Sequence, residues 1–101
     1  MFKELDPLLH SQLRLAIIAA LMTAEEAEFT WLQEQTGATA GNLSVQINKL
    51  KDAGYIVIEK SFKGNYPRTL CRMTSFGKEK FRAYVEALKE YLPAYHQAGQ
   101  S

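Results

Sequence analysis

The sequence predicts a mainly α-helical domain with one small β-hairpin, which is an α+β fold. The clearest helix has apolar residues at positions i, i+4 and i+7, namely Leu43, Ile47 and Leu50, the spacing of one helix face packed on a core. The β-branched run of residues 55–60 and the alternating run of residues 68–73 are typical of two paired strands. With 101 residues, 47% of them hydrophobic, the chain is expected to form one domain, residues 1–101, around a modest core.

Composition argues against several classes of protein. No run of about 18 apolar residues is present, so no membrane-spanning helix is expected. The first residues lack the basic segment, apolar stretch and cleavage site of a signal peptide, and a single cysteine excludes a disulfide within the chain. These features predict a cytoplasmic protein without contact to a membrane.

Positive charge is concentrated in one part of the chain. Residues 39–82 hold nine of the twelve lysines and arginines and only three acidic residues, whereas residues 1–38 hold six acids and two bases. Clustered Lys and Arg of this kind are typical of a surface that binds nucleic-acid phosphates. A solvated hairpin with scattered lysines is the alternative interpretation.

The N-terminal helix is predicted within residues 1–22. It is expected to begin at Asp6 and Pro7, which suit the cap and the first helical position. Residues 13–22 are apolar on nearly all sides except at Arg14. Because a helix that is apolar all round has to be buried all round, and a small core covers only one face, this helix indicates a dimer.

The second helix is predicted to be short. Thr30 and Gln33 fit a capping box at its start, with Phe29 packing against the entry. Trp31 is expected to lie in the core. Gly37 ends the helix after one or two turns.

The third helix is predicted to run from a cap at Thr39 to a stop at Gly54. Only two residues separate it from the second helix, so residues 30–53 have the order of a helix-turn-helix. Small side chains allow a helix to approach a surface closely, and Asn, Gln and Ser hydrogen-bond to base edges in the major groove. The third helix is therefore interpreted as a recognition helix. Its outward face carries such residues where a solvated helix carries Glu and Lys, namely Gly41, Ser44, Val45 and Asn48.

Structural alternatives exist for three of these residues. Thr39 and Asn42 are also good helix caps, whatever contact they make with DNA. Gly41 is also suited to relieve crowding where two helices cross. The sequence leaves these alternatives open.

Residues 55–73 are predicted to form a hairpin directly after the recognition helix, which is the arrangement of a wing. Residues 63–67 have the composition of the turn between its strands. Lys63 and Arg68, at this turn, belong to the basic cluster that is typical of phosphate binding. An ion pair between Arg68 and Glu59 that holds the wing together is the alternative role for this arginine.

A final helix is predicted over residues 74–95, with Thr74 as its cap. Pro93 is expected to end or kink this helix, and residues 97–101 to form a frayed tail. The tyrosines on this helix are expected to line a dimer seam rather than a ligand cage. Its apolar positions recur at helical spacing and are widened by tyrosines, namely Phe81, Val85, Leu88 and Leu92 with Tyr84, Tyr91 and Tyr95.

Residues for catalysis or metal binding are sparse. His10, His96 and Cys71 share no metal-ligand spacing, and no glycine-rich phosphate loop is present. Cys71 fits a small buried hydrophobic residue. No enzyme activity, cofactor or metal is expected.

Four short motifs resemble the winged-helix regulators of the MarR and ArsR type, and most closely their small single-domain archaeal and bacterial members. The resemblance covers about residues 12–92, and it implies a homodimeric, sequence-specific, double-stranded DNA-binding transcriptional regulator. The motifs are Gly41-Asn42-Leu43-Ser44 with Leu50, Ala53-Gly54-Tyr55-Ile56, Pro67-Arg68-Thr69, and Met73-Thr74 with Phe76-Gly77.

The resemblance also implies which residues contact DNA. In the family the N-terminal half of the recognition helix enters the major groove, and the wing contacts the backbone or the minor groove. Position 45 is often Arg or polar in the family, whereas here it is Val, and the recognition helix contains no Arg. The commonest guanine-reading contact is therefore missing. The matching positions are Thr39, Ala40, Gly41, Asn42, Ser44, Val45, Gln46, Asn48 and Lys49 in the helix, and Lys63 and Arg68 in the wing.

Two partners besides DNA are expected. A second copy of the chain would pair through the first and last helices, and a small-molecule effector of unknown identity would bind between the last helix and the winged core, near Tyr84 and Tyr91. The alternative function is a winged helix that serves as a protein-interaction module, which the missing Arg and the presence of Val45 favour. The residues expected at the dimer interface are Leu9, Leu13, Ile17, Tyr84, Leu88, Tyr91, Leu92 and Tyr95.

Overall fold

The structure, a computed structural model, describes residues 2–92. Within this range it contains four helices and three strands, and the predicted mainly α fold with a helix-turn-helix and a hairpin is confirmed. The strands form one antiparallel sheet in the order β1-β3-β2. In chain order the elements are α1 (Gln12–Ala24), β1 (Glu26–Glu28), α2 (Phe29–Thr36), α3 (Ala40–Asp52), β2 (Ile56–Lys63), β3 (Tyr66–Met73) and α4 (Ser75–Lys89).

The core lies between the helices and the inner face of the sheet. It contains the predicted stripe of α3, because Leu43, Ile47 and Leu50 are all buried. Each fully buried aliphatic side chain contributes about 1.5–3 kcal/mol through removal of apolar surface from water. Cys71 is fully buried, and burial raises the pKa of its thiol to about 11. The interpretation of Cys71 as a small core residue is confirmed.

The start of α1 differs from the prediction. Asp6 caps a turn rather than a helix: its Oδ1 accepts from the Leu8 N–H at 2.9 Å, and its carbonyl accepts from the His10 N–H. Ser11 is extended, with φ of −148°, so α1 begins only at Gln12. The prediction of a helix from Asp6 is therefore wrong. Residues 2–11 instead form a segment that packs along the domain.

The acidic stretch before α2 is a strand that the sequence analysis missed. Ala27 of β1 pairs with Cys71 of β3, and this register buries the Ala27 side chain. The chain passes directly from β1 into α2 at Phe29, and the residue before the helix, Glu28, makes no side-chain cap. The predicted capping box at Thr30 is wrong because Thr30 already lies inside the first turn.

Trp31 lies on the surface, with 37% of its area exposed. The helix α2 is only eight residues long, and Leu32 is its one buried residue. The prediction that Trp31 belongs to the core is therefore wrong. The core position of this helix is taken by the neighbouring leucine.

The two strands of the hairpin are longer than predicted, and the turn between them is tighter. The strands extend to Lys63 and from Tyr66, so only Gly64 and Asn65 lie between them. Gly64 has φ of 65° while Asn65 does not have a positive φ. Gly at the first of two turn positions is typical of the type II′ turn that connects right-handed twisted strands.

The helix α4 begins as predicted and ends earlier. Thr74 caps it by accepting from the Gly77 N–H at 2.9 Å. The helix ends at Lys89 rather than extending to residue 95. Its deeply buried side chains are Tyr84 and Ala87, with Phe81 and Leu88 beside them, whereas Leu92 is 45% exposed. Pro93, Tyr95, His96 and the predicted tail at 97–101 lie outside the described residues.

Two further findings concern residues 2–92. No helix in this range is long and apolar enough to cross a bilayer. The same residues contain no group of three or more His, Cys, Asp or Glu side chains arranged to hold a metal ion.

Candidate nucleic-acid interface

A tight turn and a side-chain cap shape the N-terminus of α3. Gly37 follows α2 in the left-handed conformation, with φ of 70°. Thr39 Oγ1 accepts a hydrogen bond from the backbone N–H of Asn42 at 3.2 Å, as predicted for a cap. The first turn of α3 contains no acidic residue. This end of the helix therefore carries uncompensated partial positive charge, which favours a phosphate oxygen.

The C-terminus of α3 is closed by a Schellman motif. Gly54, with φ of 84°, donates its N–H to the Lys51 carbonyl at 2.9 Å, and Tyr55 donates to the Leu50 carbonyl at 3.0 Å. Tyr55 and Leu50 are both buried. The predicted stop at Gly54 is confirmed, and the motif turns the chain from α3 directly into β2.

The start of α4 also contacts the chain at Tyr55, where α3 passes into β2. Thr74 donates its N–H to the Tyr55 carbonyl at 3.1 Å, and its hydroxyl donates a hydrogen bond to the Gly54 carbonyl at 2.7 Å. A Cβ on Gly77 would lie 2.1 Å from the Tyr55 carbonyl oxygen, so only glycine fits there. The end of α3, the start of β2 and the start of α4 are thus packed and hydrogen-bonded as one unit.

The outward face of α3 is small and neutral, as predicted. A Cβ on Gly41 would meet no atom within 4 Å, so the alternative that Gly41 relieves crowding is wrong. Val45 is 52% exposed, and Gln46 is half-buried at one edge of the face. The structure exposes the other predicted helix residues, namely Thr39, Ala40, Gly41, Asn42, Ser44, Asn48 and Lys49.

Asn42 and Gln46 form one edge of this face, and Arg14 of α1 lies behind them. Arg14 donates Nη1–H to Gln46 Oε1 at 2.5 Å and Nε–H to the Leu8 carbonyl at 2.6 Å. Gln46 in turn donates Nε2–H to Asn42 Oδ1 at 3.2 Å. The sequence analysis missed this role of Arg14. The signal was present, since Arg14 is the one charged residue in an otherwise apolar helix, but its partner lies 32 positions away.

Ser44 and Asn48 form the opposite edge and face the hairpin across a groove of about 240 Å³. Lys60 and Thr69, which pair across β2 and β3, line the far side of this groove. The sequence analysis included neither residue in the site. Strand alternation predicts their orientation, because Lys60 lies two residues after the inward-facing Ile58.

Arg68 lies on the other face of the hairpin. It forms an ion pair of 3.8 Å with Glu28 and donates Nε–H to Ser61 Oγ at 3.2 Å. Glu59 pairs instead with Arg72 at 3.3 Å. The alternative of an Arg68–Glu59 pair is therefore wrong about the partner, although Arg68 does hold the sheet together.

The tip of the hairpin presents aromatic and basic side chains to solvent. Phe62 is 72% exposed and Tyr66 is 78% exposed. Lys63 is exposed beside the turn, where it was predicted to contact DNA. The four ion pairs found among residues 2–92 include none of Lys49, Lys60 and Lys63. These three charges are not neutralised by a carboxylate in the described part of the chain.

The residues predicted for a dimer interface fall into two groups. Leu9 and Ile17 are fully buried within the single chain and Tyr84 is only 4% exposed, while Leu13 and Leu88 pack on the same core. Tyr91 is 42% exposed and Leu92 is 45% exposed. Phe2, itself 65% exposed, stacks on Tyr91 with ring centroids 4.8 Å apart. The exposed apolar surface at this end of the molecule is therefore the cluster of Phe2, Tyr91 and Leu92.

A cavity of about 410 Å³ lies between residues 4–7 and α4. Tyr55 reaches it and donates its hydroxyl to Asp6 Oδ2 at 2.5 Å. Burial, then the hydrogen bond to Asp6 and its negative charge, raise the pKa of Tyr55 above its usual value. Tyr84 also lines the cavity and is hydrogen-bonded to His10 Nδ1 at 3.0 Å, and Lys80 supplies a positive charge.

A capped recognition helix followed at once by an antiparallel hairpin defines the class of winged helix-turn-helix domains. Comparison with family models agrees: residues 13–92 match the winged helix DNA-binding domain. The chain belongs to this winged helix DNA-binding domain family.

Similar proteins come from archaea and bacteria. An uncharacterized protein of Methanocaldococcus jannaschii is 32% identical over 76 residues, which are 75% of this chain and 83% of the relative. A transcriptional regulator homologue from Pyrococcus horikoshii is 28% identical with a TM-score of 0.80, and 87% of each chain is covered. A MarR family regulator from Silicibacter pomeroyi is 19% identical with a TM-score of 0.64, over 77% of this chain and 52% of that one. The predicted likeness to MarR regulators is confirmed.

Two proteins with this fold are associated with small aromatic acids. NadR was solved in complex with 4-hydroxyphenylacetate, and the DNA binding of BpsR from Bordetella bronchiseptica is regulated by 6-hydroxynicotinic acid. At 21% and 11% identity, these structures share only the fold with this chain.

Proposed function

We propose that the protein is a sequence-specific, double-stranded DNA-binding transcriptional regulator that acts as a homodimer on a pseudo-palindromic operator. The observation that carries this proposal is the outward face of α3. It is uncharged from Thr39 to Asn48 and leaves open space above Gly41, and Lys49 and Lys60, which form no ion pair within residues 2–92, lie beside it. Such a face approaches a groove closely while the lysines contact phosphates on either side.

Each part of the surface has a distinct role in this proposal. Asn42, Gln46, Ser44 and Asn48 offer hydrogen bonds to base edges, and Val45 offers apolar contact to a thymine methyl. Thr39 and the first N–H groups of α3 bind a phosphate oxygen. Lys49 of α3 and Lys60, on the groove side of the hairpin, bind the DNA backbone beside the groove. Lys63, next to the turn, binds it from the tip of the hairpin.

The apolar surface at the end of α4 supports the proposed homodimer. Phe2, Tyr91 and Leu92 form an exposed apolar cluster, and the exposed residues of α1 include Ala16 and Ala19, which permit close helix packing. Two copies related by a two-fold axis at this end present two recognition helices. Their half-sites are then about one turn of DNA, or about 10 bp, apart.

Selection of bound duplexes from random DNA, followed by titration over a range of salt concentrations, tests DNA binding. The expected result is a palindromic consensus sequence. The logarithm of the affinity is expected to fall linearly with the logarithm of the salt concentration. Lys49→Gln/Lys60→Gln/Lys63→Gln is expected to weaken binding strongly. A control with the same charge change on α4, Lys78→Gln/Lys80→Gln/Lys89→Gln, is expected to bind like the unaltered protein. No binding to any duplex at low salt would overturn the proposal.

Analytical ultracentrifugation tests the dimer separately. We expect a dimer at micromolar concentration and a monomer for Leu92→Glu, because a buried charge without a partner is costly. A monomer at every concentration for the unaltered protein would contradict the dimer and leave DNA binding to be judged by the titration.

The cavity beside α4 is the site that we propose for an effector. It is closer to Tyr55, Tyr84 and Lys80 than to Tyr91, which does not line it. A cation and two phenol rings suit a hydroxylated aromatic acid, the kind of compound found in complex with NadR and reported to regulate BpsR. Thermal shift with a panel of such acids tests this proposal: a shift abolished by Lys80→Ala supports it, and no shift with any acid contradicts it.

Exposed apolar residues favour one alternative, a winged helix that binds another protein. Val45 projects from the centre of the α3 face with 52% of its area exposed. The triple lysine variant distinguishes the two functions, because a largely apolar contact would tolerate loss of the lysines and show little dependence on salt.

A further inference from the structure

Three hydrogen bonds connect the N-terminal segment to the outward face of α3 through Arg14. The guanidinium is fixed at one side by the Leu8 carbonyl at 2.6 Å and meets Gln46 Oε1 at 2.5 Å on the other. Gln46 then donates to Asn42 Oδ1 at 3.2 Å. Arg14 and Gln46 are half-buried, and Asn42 is exposed.

The chemistry of these groups leaves only one orientation for both amides. A guanidinium only donates hydrogen bonds, so the Gln46 atom that faces Arg14 has to be the amide oxygen. The Gln46 nitrogen consequently points toward Asn42, and because that nitrogen also only donates, Asn42 has to present its oxygen to it. Arg14 therefore determines the orientation of two side chains, although it lies on a different helix.

We propose that Arg14 is a positioning residue that sets base preference by turning the amide nitrogens of Asn42 and Gln46 toward DNA. This inference rests on the proposed function. With both oxygens engaged inside the protein, the edge offers N–H donors to the groove. Guanine presents two acceptors, N7 and O6, whereas adenine presents one acceptor and one donor. The fixed edge therefore prefers guanine at one position of each half-site.

The positive charge of Arg14 also favours guanine. None of the ion pairs found among residues 2–92 involves Arg14, so its guanidinium is held by neutral oxygens alone. A cation behind the amide oxygens polarises their N–H groups and makes them better donors. Arg14 thus supplies the arginine that the recognition helix lacks, without placing it in the groove.

Arg14→Met removes the donor while keeping a long side chain, and Arg14→Lys keeps a donor-only group at the same place. Selection and titration are carried out with the unaltered protein and both variants. We expect Arg14→Met to change the ratio of affinities for guanine and adenine by about tenfold at one position per half-site, toward adenine, with the other positions unchanged. Arg14→Lys is expected to keep the preference for guanine. A uniform loss of affinity in Arg14→Met with the same consensus would overturn the inference, since a merely structural residue has that effect.

A measurement without DNA separates this inference from the proposed function. In nuclear magnetic resonance spectra of the free protein, the side-chain amide signals of Gln46 are expected to shift in Arg14→Met toward those of a freely exposed glutamine. Unchanged Gln46 signals would overturn the inference even if the protein binds DNA. If the unaltered protein binds no duplex, the proposed function and the base preference fail together, whatever the Gln46 signals show.

Discussion

The recognition helix and the hairpin border the same groove, yet their surfaces differ in almost every property. The outward residues of α3 up to Asn48 are uncharged, and both helix ends are closed by hydrogen bonds. The hairpin carries five charged residues between Ile56 and Met73, two exposed aromatic rings at its tip, and ion pairs on the face away from α3. In the proposed function, this difference corresponds to two roles: the helix recognises groove shape and base edges, and the hairpin supplies charge.

This division has an energetic basis. Contacts to phosphates strengthen binding to every duplex about equally, because phosphate contacts carry no sequence information. Lysines on the adjacent hairpin add affinity without occupying the base edges. Specificity and affinity are therefore expected to respond to different substitutions.

The largest effect is expected where the two regions are joined. Gly77→Ala would place a Cβ 2.1 Å from the Tyr55 carbonyl oxygen, and Tyr55 connects α3 to β2. We expect the free energy of unfolding to fall by about 3 kcal/mol, as for an overpacked core site. Chemical denaturation measures this change.

Gly41→Ala is the matched control, since its Cβ would meet no atom within 4 Å. It is expected to raise the stability by about 0.5–1 kcal/mol because glycine is unfavourable inside a helix. Equal stabilities of Gly77→Ala and the unaltered protein would refute the close packing at Tyr55.

A bulky residue on the outward face of α3 tests the contribution of this helix to DNA binding separately from that of the hairpin. Gly41→Leu is expected to leave folding intact, because the space above Gly41 is open, and to prevent close approach to a groove. We expect a loss of DNA affinity of at least about tenfold, which corresponds to about 1.4 kcal/mol. Ala53→Leu, exposed at the other end of α3, is the control and should bind like the unaltered protein. An unchanged affinity for Gly41→Leu would mean that this face does not enter DNA.

A substitution at Lys60 tests the contribution of the hairpin to DNA binding separately from that of α3. Lys60→Gln removes one predicted phosphate contact from the wall of the groove, so the slope of log affinity against log salt should become shallower by about one. The selected consensus should stay the same. Arg72→Gln is the control, because Arg72 lies on the far face in a pair with Glu59. Equal slopes for the two variants would contradict the assignment of the groove face to DNA.

The smallest effect is expected for Arg68, which the sequence analysis placed at the DNA. Its pair with Glu28 is partly exposed, with 37% and 38% of the two side chains accessible. Arg68→Ala should therefore lower the stability by only about 0.5 kcal/mol and leave the salt dependence of DNA binding unchanged. A salt slope reduced as much as by Lys60→Gln would show that Arg68 leaves Glu28 to bind phosphate.

Local patterns predicted most of α3 and its surroundings. The stripe of Leu43, Ile47 and Leu50, the cap at Thr39 and the stop at Gly54 each depend on residues within one or two turns. Thr74 as the cap of α4 is of the same kind. These features were predictable because the hydrogen bonds and the apolar spacing that create them are local.

The errors arose where distant residues decide the structure. The strand β1 exists only because β3, more than forty positions later, pairs with it, and its formation moves the start of α2 ahead of Thr30. Arg14 has its role because α1 packs beside α3. The faces of the hairpin could have been separated by strand alternation, which places Lys60 toward α3 and Arg68 away from it.

The junction at Tyr55 also bears on how such a regulator is released from DNA. Because the end of α3, the start of β2 and the start of α4 are packed and hydrogen-bonded at Tyr55, we expect them to move together as one rigid unit. In the proposed dimer, which is joined at the end of α4, the distance between the two recognition helices then depends on the angle between the two subunits. We therefore expect the dimer to bind poorly to an operator that has one base pair inserted between its half-sites. An effector that releases the protein from DNA would have to change the angle between the subunits.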